Sequence, residues 1–262
     1  MSTNPKVTVA TFRKRKAAGE KISMLTVYDA PTASICHAAG VDSLLVGDSL
    51  AMTVLGYKNT LPLTMEEALH HARAVRRGAP DAFVVFDMPF MSYQADDAEA
   101  LRNAGRAMKE AGADAVKLEG GAEVAPLIAK LVRSGIPVLA HLGLLPQHIM
   151  TAGGYRQTGK TPEDAARLLD DARKVEEAGA FATVLECMPA DVGRMITENI
   201  GIPTIGIGSG PDCDGQVQVL NDLLGLFEEF TPKHARRYAE LGRIFREAVT
   251  RYADDVKTGA FK

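Results

Sequence analysis

The sequence predicts a parallel α/β protein, and within that class a (β/α)₈ barrel. Three observations carry this. Short apolar, β-branched runs recur along the chain, and such runs read as strands buried on both faces. Segments mixing alanine, leucine and charge at helical spacing separate them, several ending in glycine, as at Gly112, Gly135 and Gly179. The alternation occupies about 250 residues, the usual size of a barrel of this kind. A doubly wound open sheet gives the same alternation and is the competing architecture.

In chain order, residues 8–21 come first, with Phe12 and a basic cluster of Arg13, Lys14, Arg15 and Lys16. They are expected to form a solvated helix packed outside the barrel. Strands are expected at 22–27, 43–46, 83–86, 115–118, 136–140, 182–185 and 203–207, with helices at 64–77, 95–111, 123–134 and 162–178. An eighth strand fits 216–219, although the connection from Ile207 is short for a parallel crossover, so the helical layer is expected to be incomplete there. Residues 237–256 read as a C-terminal helix covering the barrel or a neighbouring subunit. No repeat and no low-complexity linker divides the chain, and a single domain over 1–262 is expected.

Composition narrows the function. With 46% hydrophobic residues, the chain can bury a core without disulfides or a structural metal. The net charge of −3 comes from 30 basic and 33 acidic residues mixed along the sequence, which argues against a broad nucleic-acid or anionic-lipid surface. A small-molecule partner is expected. Residues 1–10 are polar and no apolar run reaches the roughly 20 residues of a membrane span, so secretion and membrane insertion are not expected. Cys36, Cys187 and Cys213 are odd in number and widely spaced, which suits a reducing cytoplasm.

In a parallel barrel the C-terminal strand ends converge on one mouth. Here those ends carry Tyr28 and Asp29, Asp48 and Ser49, Asp87, Lys117 with Glu119, His141, Glu186, and the turn Gly208-Ser209-Gly210. Any one acid after a strand has a simpler role as a helix cap. Acids on successive strand ends would crowd negative charge unless a cation or proton compensated it, which favours a metal site. Asp48, Asp87 and Glu119 offer only hard oxygen donors, a set that suits Mg²⁺ better than Zn²⁺.

Strand alternation puts Lys117 on the face of Glu119, where it either holds a substrate oxygen or pairs with Glu119. Glu186 is expected to lie buried beside other acids, with its pKa raised toward that of a general base. Cys187, pointing away from it, reads as packing. His141 either bonds a ligand or satisfies nearby backbone. The glycines at 206–210 form a phosphate cradle or a tight turn, and those at 153–159 a closing segment or a surface loop.

Asp48, Ser49, Asp87, Lys117, Glu119 and His141 lie in segments that strongly resemble the ketopantoate hydroxymethyltransferase family. The segments are Leu45-Val46-Gly47-Asp48-Ser49, Leu61-Pro62-Leu63-Thr64, Ala74-Val75-Arg76-Arg77-Gly78-Ala79-Pro80, Asp87-Met88-Pro89-Phe90-Met91, Val116-Lys117-Leu118-Glu119-Gly120-Gly121, His141-Leu142-Gly143-Leu144 and Ile205-Gly206-Ile207-Gly208. The resemblance runs from about Val7 to the C-terminal helix. It implies a barrel of the phosphoenolpyruvate/pyruvate type, with Asp48 and Asp87 as Mg²⁺ ligands and Glu119 completing the site. Glu186 is implied as proton acceptor, and Asp48, Ser49, Asp87 and Lys117 as contacts to a 2-oxo acid; His141 is a further candidate for substrate binding.

The implied reaction moves a one-carbon unit from 5,10-methylenetetrahydrofolate to 3-methyl-2-oxobutanoate, with Mg²⁺ or Mn²⁺, in a cytoplasmic homo-oligomer, a decamer. Competing readings are a related Mg²⁺-dependent C–C lyase or aldolase and a non-catalytic oxo-acid-binding protein; the latter would not need Glu186. Two departures stand out. Ala51 replaces the family's common Gly, and Gln157-Thr158-Gly159 replaces Val-Gln-Gly, which bears on loop closure and folate affinity.

Overall fold

The computed structural model describes residues 6–228, 232 and 235–261. Its elements are α1 (Val9–Ala18), β1 (Ile22–Thr26), α2 (Ala30–Ala38), β2 (Ser43–Val46), α3 (Leu50–Thr53), α4 (Met65–Gly78), β3 (Phe83–Asp87), α5 (Asp97–Ala111) and β4 (Ala115–Glu119). They continue with α6 (Ala125–Arg133), β5 (Val138–Gly143), a 3₁₀ turn at Pro146–His148, α7 (Ile149–Ala152), α8 (Pro162–Glu177), β6 (Ala182–Glu186), α9 (Ala190–Asn199), β7 (Thr204–Ile207), β8 (Gly215–Gln218), α10 (Leu220–Leu223) and α11 (Leu241–Thr258). The chain divides into two compact units, Met1–Val217 and Gln218–Lys262.

The eight strands form one closed barrel in sequential order, and the pairs from β1·β2 to β7·β8 are parallel. Closure decides against the open sheet. At the seam, the Ile22 N–H donates to the Asp214 carbonyl at 3.0 Å. The eighth strand starts one residue earlier than the sequence suggests, and β7 runs into it through a helix-free turn. That is the thin place in the helical layer.

The N-terminal helix is more deeply engaged than a solvated outer helix would be. Thr8 caps α1 through the Thr11 N–H in a reciprocal capping box. Arg13 and Lys14 are exposed, but Arg15 pairs with Asp42 at 2.6 Å and Lys16 with Asp214 at 2.8 Å, and Phe12 is 1% exposed and belongs to the core with Met24, Leu45, Val85, Leu139 and Ile205. The Phe12 ring lies 5.3 Å from Phe83 and 5.2 Å from Phe181, centroid to centroid. Phe83 and Ala182 begin their strands, so α1 stoppers the barrel at the end opposite the mouth.

In the second unit, the Tyr238 N–H donates to Leu223 O and the Leu241 N–H to Leu224 O, each at 2.8 Å, tying the start of α11 to α10. The C-terminal helix begins four residues later than the sequence suggests. Ile244, Phe245, Val249, Tyr252 and Val256 recur at helical spacing along α11 and are all exposed. No helix among the described residues is long and apolar enough to cross a membrane.

Candidate functional site

Register builds the site. Asp87 pairs with Lys117 across β3 and β4, and Glu119 with His141 across β4 and β5, so their side chains project to the same side at neighbouring positions. Glu186 pairs with Gly143. A Cβ at Gly143 would come within 2.2 Å of the Glu186 carbonyl oxygen, so only glycine lets the strands approach here. Asp48 and Ser49 follow β2, and the Asp48 N–H donates to Asp87 Oδ2 at 3.1 Å.

Asp48, Asp87, Lys117, Glu119 and His141 are each at most 5% exposed. The Lys117 ammonium bonds both oxygens of Asp87, at 2.7 and 2.8 Å, and lies 3.7 Å from Glu119 Oε1. Thus Lys117 pairs mainly with Asp87, not with its strand neighbour Glu119. Burial alone would discharge this lysine, but Asp87, Glu119 and Asp48 hold its pKa above the ordinary range. Asp48 makes no such ion pair among the described residues, and Lys117 and Gln147 only partly offset its charge. Burial, then Asp87 and Glu119, push its pKa up to about 8.

His141 stands between two acids, with Nδ1 3.4 Å from Glu119 Oε1 and Nε2 3.2 Å from Glu186 Oε2. These approaches are close enough for charge attraction, yet neither ring nitrogen has a well-directed hydrogen bond. Burial and Lys117 disfavour the imidazolium, but Glu119 and Glu186 outweigh them and raise the pKa to about 9. The Glu186 side chain is 15% exposed and its near neighbour is this histidine, not another acid. The expectation of a deeply buried Glu186 among carboxylates is therefore corrected: the β5–β6 register interposes His141.

Ser49 sits 2.8 Å from the Tyr28 hydroxyl, which donates to Thr26 at 2.9 Å, so Ser49 joins the cluster at its edge. Asp29 has the simpler role: it caps α2 by accepting from the Thr32 N–H at 2.8 Å. Cys187 lies beyond Glu186 with its thiol pKa pushed up to about 11 by burial and by Glu186, unlike an activated nucleophile. Ser209 is buried and donates to the Leu185 carbonyl at 2.7 Å, while a Cβ at Gly210 would sit 2.5 Å from that of Ala190. The glycines at 208 and 210 thus make a tight turn against α9. In the glycine-rich segment, the Tyr155 hydroxyl reaches Met52 Sδ at 3.5 Å, and Asp48, Glu186 and Glu119 act on it after burial to raise its pKa. Its ring lies beside the mouth.

Two site residues escaped the sequence reading, Gln147 and Tyr93. Both sit on connections, where strand-end position carries no signal. Each is 3% exposed, and the Tyr93 hydroxyl donates to Gln147 Oε1 at 2.8 Å.

Among the described residues no group of three His, Cys, Asp or Glu side chains is preassembled around a metal position. The donor chemistry nonetheless fits a hard cation. Glu119 Oε1 is buried and accepts no hydrogen bond, and Lys117 only partly offsets the burial and the neighbouring acids that oppose ionisation of Asp48. Asp48, Asp87 and Glu119 supply oxygen only, the preference of Mg²⁺.

The chain is also similar to known proteins. The family described as ketopantoate hydroxymethyltransferase matches residues 6–262. A 3-methyl-2-oxobutanoate hydroxymethyltransferase of Carboxydothermus hydrogenoformans is 55% identical over 256 residues, covering 98% of this chain and 93% of that protein. One from Syntrophus aciditrophicus is 54% identical over 260 residues, covering 99% and 96%. Among solved structures, a phosphonopyruvate hydrolase complex with oxalate and Mg²⁺ superposes with a TM-score of 0.64 at 13% identity, covering 97% of this chain and 88% of that one. For 2,3-dimethylmalate lyase, a PEP mutase/isocitrate lyase superfamily member, the TM-score is 0.62 at 19% identity, covering 97% and 89%. These structural likenesses show the fold, and the sequence matches show the lineage: the chain belongs to the ketopantoate hydroxymethyltransferase family, and it is a transferase.

Proposed function

We propose that the protein transfers a hydroxymethyl group from 5,10-methylenetetrahydrofolate to 3-methyl-2-oxobutanoate, giving 2-dehydropantoate for pantothenate biosynthesis. The observation that carries this is the meeting of Asp48, Asp87, Lys117 and Glu119 at one buried mouth, with Glu186 beside it across His141. The chemical difficulty is a weakly acidic C–H next to a ketone. Bound Mg²⁺, held by Asp48, Asp87 and Glu119 directly or through water, would supply Lewis-acid polarisation of the 2-oxo acid. Mn²⁺ would substitute.

The protein groups divide the remaining work. Lys117, charged and fixed on Asp87, is placed to hold the carboxylate or the developing enolate oxygen. Asp48 and Ser49 face the same substrate. Glu186 takes the C3 proton, and His141, 3.2 Å away, stabilises and orients that carboxylate. One C–N bond of the folate's methylene bridge opens as the enolate carbon bonds to the methylene carbon, and water then cleaves the remaining C–N bond, its oxygen becoming that of the hydroxymethyl group and its proton going to the folate nitrogen, to give 2-dehydropantoate and tetrahydrofolate.

A cytoplasmic homo-oligomer, a decamer, belongs to the same proposal, supported by the exposed apolar stripe on α11. The test is incubation of purified protein with the oxo acid, methylenetetrahydrofolate and Mg²⁺. Formation of 2-dehydropantoate is expected. Cleavage or condensation without folate would point instead to a C–C lyase.

A further inference from the structure

Gln147 takes no part in the proton transfer, yet its backbone N–H and side-chain amide bond groups around the site. It is 3% exposed and lies on the 3₁₀ turn after β5. Its backbone N–H donates to Glu119 Oε2 at 3.0 Å. The side-chain Nε2 donates to Asp48 Oδ2 at 3.2 Å and to the Met88 carbonyl at 2.9 Å. Oε1 accepts from the Tyr93 hydroxyl at 2.8 Å and from Gln94 Nε2 at 2.9 Å.

A primary amide offers two donors and one oxygen with two lone pairs, and here all four are engaged. Turning the amide over would set its oxygen against two acceptors and its nitrogen against a second amide nitrogen. The orientation is therefore fixed by its neighbours. Asp48 follows β2, Met88 follows β3 and Glu119 ends β4, so one residue after β5 ties four successive strand ends together. Among the described residues, Gln147 is the side chain that donates to Asp48, while its own backbone restrains one oxygen of Glu119.

We propose that Gln147 is a positioning residue that holds the Asp48 and Glu119 carboxylates in a fixed relation, leaving Asp48 Oδ1 and Glu119 Oε1 available to a hard divalent cation. This rests on the Mg²⁺ reading proposed above. A residue serving only as a strut would lower the melting temperature without a metal-specific effect. A residue that organises metal ligands changes metal affinity, typically by ~10- to 100-fold on mutation.

The test uses Mn²⁺ as the probe, titrated into EDTA-stripped full-length protein and followed by electron paramagnetic resonance, with no substrate present. Gln147→Leu removes the amide at similar length. Its Mn²⁺ dissociation constant is expected to rise by at least ~10-fold over wild type, with the circular dichroism spectrum retained. Exchange of the C3 hydrogen of 3-methyl-2-oxobutanoate should be lost at limiting Mn²⁺ and regained as Mn²⁺ is raised, so that the defect lies in the Mn²⁺ dependence, because the proton acceptor is untouched. Tyr93→Phe removes one donor to Oε1 and keeps the amide, so it should shift Mn²⁺ affinity the same way by less. It carries the test if Gln147→Leu does not fold. Unchanged Mn²⁺ affinity in the folded variant overturns the inference alone, whereas wild-type protein that binds no Mn²⁺ overturns the metal reading and the inference with it.

Discussion

Asp48 makes the stability of the metal-free protein depend on pH in a direction that can be worked out. Its folded pKa of about 8 lies far above the ordinary aspartate value of ~3.9, because burial, Asp87 and Glu119 oppose ionisation. Between those values the folded state holds a proton that the unfolded chain has released. Stability therefore falls as pH rises through the window and levels off above about pH 8. At ~1.4 kcal/mol per unit for one proton, the loss from about pH 6 to about pH 8 is ~2 kcal/mol.

His141 adds to the same slope. Its pKa is raised to about 9, so the stability it contributes is fully present below ~6.5 and is lost as pH rises through about 9. Urea melts of EDTA-treated protein at about pH 6, 7 and 8 should show the decline. Asp48→Asn should remove about half of it, leaving a His141 part of similar size. Mg²⁺ should stabilise the wild type more at about pH 8 than at about pH 6, since it competes with the proton. A flat wild-type profile, or the same decline in both proteins, would refute the reasoning.

EDTA should abolish product formation, with Mg²⁺ or Mn²⁺ restoring it because the proposed ligand set is entirely oxygen; full turnover in metal-free protein would contradict this. Asp87→Ala should weaken metal and oxo-acid binding together in calorimetric titrations, and it also strips Lys117 of its bidentate partner. At the other end of the barrel, Phe12→Ala removes a buried ring that touches Phe83 and Phe181 and should cost ~3–5 kcal/mol in urea melts, with oxo-acid affinity unchanged in the folded protein.

The strand-end residues were legible in the sequence because a parallel barrel brings the C-terminal ends of its strands to one mouth whatever the details of packing. Asp48, Asp87, Lys117, Glu119 and His141 are all buried there. Pair relations within the mouth were not legible, because they depend on register. Lys117 pairs with Asp87 across β3·β4, and His141 separates Glu119 from Glu186. Gln147 and Tyr93 lie on connections whose paths no hydrophobic period encodes, so their part in the site emerged only with the structure. Likewise, the basic cluster at the N-terminus suggested a solvated helix, while the single apolar ring of Phe12 decided where it packs.

Proton exchange in D₂O tests the account most directly, because it isolates the enolisation step from folate chemistry. With Mg²⁺ and no folate, the wild-type protein should exchange the C3 hydrogen of 3-methyl-2-oxobutanoate, seen by NMR as collapse of the methyl doublet. Glu186→Gln is nearly isosteric but cannot accept the proton, so it should bind the oxo acid with similar affinity and exchange at least ~10²-fold more slowly. Exchange at the wild-type rate would contradict the account and shift the proton transfer to another group, with His141 Nε2, 3.2 Å from Glu186 Oε2, the nearest at hand.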